Sequence, residues 1–105
     1  MLITGDLVNA GGIDEYQQLR TLLERLALRW YPLVGNHDDR ANLQRVFGER
    51  AELVGDGFVQ YAFDADELRV IALDTFDPGS GAGRLCASRF VWLEAQLDAC
   101  RESPC

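Results

Sequence analysis

Trp30-Tyr31-Pro32-Leu33-Val34-Gly35-Asn36-His37-Asp38 is the stretch on which the reading of this chain turns, because an apolar run ends at a glycine and three polar side chains follow at once. Such a run is a short buried strand ending in a turn, and upstream Leu2-Ile3-Thr4 runs into Gly5-Asp6 in the same way. Between them, after the loop Asn9-Ala10-Gly11-Gly12, apolar residues at Tyr16, Leu19, Leu22, Leu23 and Leu26 follow the spacing of one helical face. Asp14 and Glu15 stand in the first turn of that helix and Arg25 and Arg29 near its end, as the helix dipole favours. Strand, helix and strand make a βαβ unit with parallel strands. Asp6 and Asn36 then fall on neighbouring loops at the carboxyl ends, where α/β sheets place their ligand crevice.

Downstream, residues 39–47 read as a second helix with Leu43, Val46 and Phe47 inward, and Gly55-Asp56-Gly57 as a turn. Val59, Tyr61 and Phe63 alternate with Phe58, Gln60 and Ala62, and the polar link Asp64-Ala65-Asp66-Glu67 leads into Leu68-Arg69-Val70-Ile71-Ala72-Leu73. The pattern predicts an antiparallel hairpin with a four-residue loop. Asp77-Pro78-Gly79-Ser80-Gly81-Ala82-Gly83 is a loop, and a last helix from about Ser88 is expected to turn Phe90, Leu93 and Leu97 to one face with Trp92 beside them. The fold class is α/β, a mixed sheet with flanking helices. No repeat, low-complexity tract or composition shift marks a domain boundary.

At 105 residues and 48% hydrophobic, the chain is in the range of one domain with one core. Lysine and arginine number 10 against 17 acids, so the net charge is 10 − 17 = −7. That balance argues against partners recognised through basic patches, a nucleic-acid backbone or an anionic membrane. It leaves room for a small anionic substrate, because bound cations reverse the local field. No apolar stretch approaches a membrane span, and no charged region or cleavage site precedes Gly5-Asp6, so a cytoplasmic location is expected. Cys86, Cys100 and Cys105 are odd in number and lack metal-type spacing, which reads as three reduced thiols.

The polar residues at the two strand ends carry the chemistry. Asp6, after a glycine, can use both carboxylate oxygens to bridge two cations; taken alone it reads first as a turn cap, and the second motif is what favours the bridge. Asn36 offers a neutral amide oxygen, which fills a coordination position without dulling a metal's acidity; alone, it is a turn asparagine in a left-handed conformation. His37 is the single histidine and sits in a polar, glycine-led loop, which favours proton donation or phosphate contact over packing. Asp38 either orients the His37 ring or caps the helix beginning near Asp39. Asp74 reads as a strand-end aspartate holding the following loop, with no ligand role.

Gly5-Asp6 followed by Gly35-Asn36-His37-Asp38 resembles the second and third signature blocks of the calcineurin-like metallophosphoesterases. Gly5-Asp6-Leu7-Val8-Asn9-Ala10-Gly11 with Glu15-Tyr16, Ala72-Leu73-Asp74-Thr75, Gly83-Arg84-Leu85 and Trp92-Leu93-Glu94-Ala95-Gln96-Leu97 look like the bacterial branch of cyclic-nucleotide phosphodiesterases and glycerophosphodiesterases. The resemblance covers nearly the whole chain. It implies part of a four-layer α-β-β-α sandwich and a site of two divalent metal ions, manganese, iron, cobalt or zinc, acting on a small phosphodiester. By it Asp6 bridges both metals, Asn36 binds the second metal and the substrate, and His37 meets the phosphate and assists the leaving alkoxide, with Gly5, Gly35 and Asp38 in support. A phosphomonoesterase or nuclease of the same fold is the runner-up, and a non-catalytic piece the reading from another class. The family's Asp-x-His block and its later Gly-His-x-His block have no counterpart in a chain with one histidine. Residues 1–105 are therefore expected to be a partial domain, inactive by itself and self-associating through exposed sheet edges.

Overall fold

The computed structural model describes residues 1–53, 55, 57–102 and 105. β1 (Leu2–Thr4) and β2 (Tyr31–Leu33) pair in parallel, Leu2 beside Tyr31 and Thr4 beside Leu33. The crossover between them is α1 (Ile13–Leu23). Its entry loop is gathered by Glu15, whose carboxylate accepts the backbone N–H groups of Asn9, Ala10 and Gly12 at 3.0, 3.2 and 3.1 Å. Donors that precede or open a helix thus find an acceptor one turn in.

Tyr16 and Leu23 are buried and Leu19 is half-buried, as the helical spacing predicts, but Leu22 and Leu26 are 60% and 42% exposed. The cause is an early stop: the N–H of Glu24 closes on Arg20 and Leu22 carbonyls, so Leu26 lies past the helix and Leu22 stays on its outer flank. Arg20, not Arg25 or Arg29, is therefore the basic residue of the last turn. α2 (Arg40–Val46) buries Leu43, and Phe47 follows it inward with Val46 half-buried. A short 3₁₀ turn, Ala51–Leu53, buries Leu53. In the expected turn Gly55-Asp56-Gly57, Asp56 lies outside the described residues, and Gly57 has φ 93°.

β3 (Tyr61–Ala65) and β4 (Leu68–Ala72) form the antiparallel hairpin, Tyr61 opposite Ala72 and Ala65 opposite Leu68. Its loop is two residues, Asp66 and Glu67, rather than four; Asp64 and Ala65 extend the ladder, and Asp66 at φ 55° takes the sharp reversal. The strands stand as two separate two-stranded ladders, not as one mixed sheet. The Tyr31 ring stacks on Phe63 with centroids 3.7 Å apart, and the Tyr61 hydroxyl donates to the Pro32 carbonyl at 2.6 Å, so aromatic side chains join the ladders. One core of Tyr16, Leu23, Leu43, Phe47, Leu53, Val59, Tyr61 and Ala72 lies between these elements, and the α/β class stands.

α3 (Ala87–Ala99) is rotated from the expected face: Phe90 and Leu97 are about half exposed, and Arg89, Trp92, Leu93 and Gln96 turn inward. Arg89 sets the rotation, its Nη1 donating to the carbonyls of Asp74 and Phe76 at 2.9 and 3.1 Å. Cys100 and Cys105 form a disulfide with Cα atoms 6.6 Å apart, which corrects the reading of three reduced thiols; Cys86 is the free one. No helix among the described residues is long and apolar enough to cross a membrane.

Candidate functional site

Two glycines bring the strand ends together. Gly5 has φ 92°, a conformation that side chains avoid, and a Cβ on it would meet the Gly35 Cα at 3.2 Å. Gly35 in turn has no room for a side chain, because Asp6 fills the space. The parallel ladder and this back-to-back approach set Asp6, itself at φ 46°, against the turn carrying Asn36 and His37. Asp6 Oδ1 accepts the His37 backbone N–H at 3.1 Å. Aspartate is among the few non-glycine residues that enter this left-handed region readily, as Asp66 does in the hairpin.

Asp38 plays neither of its two expected parts. It is 5% exposed, and Oδ2 accepts the N–H groups of Leu7 and Gly35 at 3.0 and 2.8 Å while Oδ1 accepts the Val8 N–H at 3.3 Å and the Tyr16 hydroxyl at 2.9 Å. Both loops of the site are thus stapled onto one carboxylate. The α2 cap is Asp39, whose Oδ1 accepts the Asn42 N–H at 2.9 Å. Tyr16 completes the staple by accepting the Asp39 N–H at 2.9 Å. Burial raises the Tyr16 phenol far above its ordinary value; the Asp39 N–H opposes this and the Asp38 carboxylate adds to it, so the hydroxyl stays a donor to Asp38.

His37 is exposed, and its Nδ1 lies 2.8 Å from the Asn9 carbonyl. A carbonyl only accepts, so the proton of the neutral ring sits on Nδ1. Nε2 has no hydrogen-bond partner among the described residues. The ring is therefore held by the α1 entry loop, not by Asp38. Asn36 is exposed beside it, and neither its amide nor Asp6 Oδ2 makes a hydrogen bond among the described residues.

Beyond the two loops lies a buried ionic group that the sequence did not reveal. Asp74 is fully buried two residues past β4 and receives a two-pronged grip from Arg40, Nε to Oδ2 at 2.6 Å and Nη2 to Oδ1 at 2.7 Å. It also accepts the N–H groups of Val59 and Phe76 at 2.8 and 2.9 Å, so it does hold the loop that follows it. Burial alone would raise its carboxyl; Arg40 and those two N–H groups outweigh burial and lower it. Between that loop and the Gly35 turn is a crevice of about 120 Å³, with Val34, Gly35 and Asn36 on one wall and residues 75–77 and 80–83 on the other.

Asp6 and Asn36 suit a hard divalent ion, since each presents an uncommitted oxygen at the same sheet end. The two fall short of a full ligand set, and no group of three or more His, Cys, Asp or Glu placed to hold a metal occurs among the described residues.

The chain is similar to proteins named as phosphodiesterases. It is 31% identical to a probable glycerophosphodiester phosphodiesterase of Arcobacter nitrofigilis, over 93% of this chain and 36% of the relative. It is 35% identical to a glycerophosphodiester phosphodiesterase of Enterobacter lignolyticus, over 99% and 38% of the two chains. A cAMP/cGMP dual specificity phosphodiesterase of Mycobacterium tuberculosis is 36% identical, over 92% and 31%. The chain thus spans about a third of the length of these curated relatives. The model of the calcineurin-like phosphoesterases, a family that uses divalent metal ions, matches residues 1–93, and with both glycine-led loops inside that span the chain belongs to this family.

Proposed function

We propose that this chain supplies the central part of a phosphodiesterase site of the two-metal type, acting on a cyclic nucleotide or a glycerophosphodiester. The observation that carries the reading is Asp6 packed against Gly35 and bonded to the His37 N–H, with Asn36 uncommitted beside it. Asp6 and Asn36 would hold the ions, Asp6 serving both and Asn36 one. Bound divalent ions supply Lewis acidity toward the phosphoryl group. His37, fixed at Nδ1, presents Nε2, which gives the departing alkoxide its proton when the ring carries a proton on both nitrogens.

The small crevice beside Asn36 supports a small substrate, and the net charge of −7 supports one that is neither nucleic acid nor membrane-bound. The elements described here then form part of the family's four-layer sandwich. Two protein ligands do not hold two metals against water, so residues 1–105 alone are read as inactive, with the exposed β1 edge and the outer face of α3 favouring self-association.

The test is metal analysis in a protein that joins this chain to the family's Asp-x-His and Gly-His-x-His blocks. Asp6→Ala should lower occupancy at both sites and Asn36→Ala mainly at one. Two full equivalents retained in the Asp6 variant reject the bridging role, and an unsubstituted protein that binds metal without cleaving phosphodiesters rejects the activity.

A further inference from the structure

The crevice beside Asn36 has two walls that come from distant parts of the chain, and a single side chain spans them. Arg40 opens α2, three residues after His37; the Asp39 side chain caps the helix, and the Asn42 amide ties it to the α1 entry loop by donating to the Gly11 carbonyl at 2.9 Å. From that anchored start its guanidinium crosses to the other wall. There it holds both oxygens of Asp74 and donates to the carbonyl of Phe76, itself a residue of the second wall. Arg89 adds its own bonds to the Asp74 and Phe76 carbonyls from α3.

The arrangement is both rigid and charged. Asp74 is fully buried, and the Phe58 ring lies 5.1 Å from the Arg40 guanidinium carbon and 4.6 Å from that of Arg89. A planar fork meeting a carboxylate with two bonds, while a third goes to a carbonyl, fixes direction as well as distance, which a lysine ammonium does not reproduce. Two guanidiniums meet the one buried carboxylate beneath the crevice, and Asp77 stands on its wall as a second acid.

We infer that Arg40 is a positioning residue: through Asp74 and Phe76 it sets the wall of residues 75–83 opposite Asn36, and so fixes the crevice that receives the organic group of the ester. This rests on the phosphodiesterase reading for its substrate and on the geometry alone for its hold on the wall. The width of the crevice, not the metal ligands, is what Arg40 controls.

Two measurements test it, with Arg40→Lys and Arg40→Met. Amide spectra of the 105-residue chain should change at Asn36 and residues 75–83, with Lys less disturbing than Met and with the β1, β2 and α1 amides unmoved. In the protein that carries the family's other blocks, KM for the diester should rise on the order of tenfold, with kcat within about threefold and metal content unchanged. Unmoved amides in residues 75–83, or changes spread over the whole chain with kcat and KM altered together, would overturn the inference. A parent protein without diester hydrolysis sinks the phosphodiesterase reading, while the amide readout still decides whether Arg40 holds the wall.

Discussion

Asp6 and Gly35 share a space that holds one side chain: a Cβ on residue 35 would stand 2.2 Å from Asp6 Oδ1 and 2.3 Å from the Asp6 backbone nitrogen. The carboxylate reaches its place because residue 35 has no side chain, so Gly35→Ala must push either Asp6 or the Asn36 turn away. The expected cost is about 1–3 kcal/mol or more, the range for overpacking against backbone that does not yield. A denaturant midpoint equal to that of the unsubstituted chain would show that the two loops are not in contact.

Asp38→Ala should be more damaging than any change at the exposed Asp6. It leaves the N–H groups of Leu7, Val8 and Gly35 and the buried Tyr16 hydroxyl without their shared acceptor. Each orphaned buried donor costs about 1–3 kcal/mol, so on the order of 3 kcal/mol is expected even after water satisfies some of them. Urea unfolding reads the difference, and a loss under about 1 kcal/mol would deny Asp38 its structural role.

The βαβ unit was legible because period and turn chemistry agree: an apolar run ending in Gly-Asp, a helical stripe, and a second run ending in Gly-Asn. The neighbourhood of Asp6 and Asn36 followed from that topology alone. Asp38 was not legible, since its donors come from positions 7, 8, 16 and 35 and meet only after folding. The face of α3 was misread because an apolar stripe was expected inside, whereas Arg89 found buried carbonyls and turned the helix toward them. Arg40 carries no signal of its own in the sequence. Its partner Asp74 lies 34 positions away, and no periodicity links them.

Acid should remove the contribution of the Arg40–Asp74 pair. The Asp74 carboxyl is lowered from its ordinary value of 3.8, so its contribution is fully present above that value and is lost as pH falls through the lower folded value. Asp74→Asn should therefore be less stable than the parent by about 3–5 kcal/mol near pH 7, where two arginines lose a buried counter-ion. The gap should narrow below pH 3.8 as the parent carboxyl takes up its proton. A gap that stays constant from pH 7 into strong acid would mean that Asp74 does not titrate with the fold.

On the phosphodiesterase reading, His37→Ala should keep metal and lose turnover. The ring is held through Nδ1 by the Asn9 carbonyl and carries none of the bonds that fix Asp6 or Asp38, so its removal leaves the fold and the ligand oxygens in place. What is lost is the proton that the ring, when protonated on both nitrogens, gives from Nε2, worth on the order of 10²–10⁴-fold. An alkyl leaving group needs that proton and nitrophenolate hardly does. The loss measured in a protein carrying the family's other blocks should thus be large for an alkyl diester and small for bis-nitrophenyl phosphate. Equal losses on the two substrates would assign His37 to phosphate binding instead, and a fall in metal content would place it among the ligands.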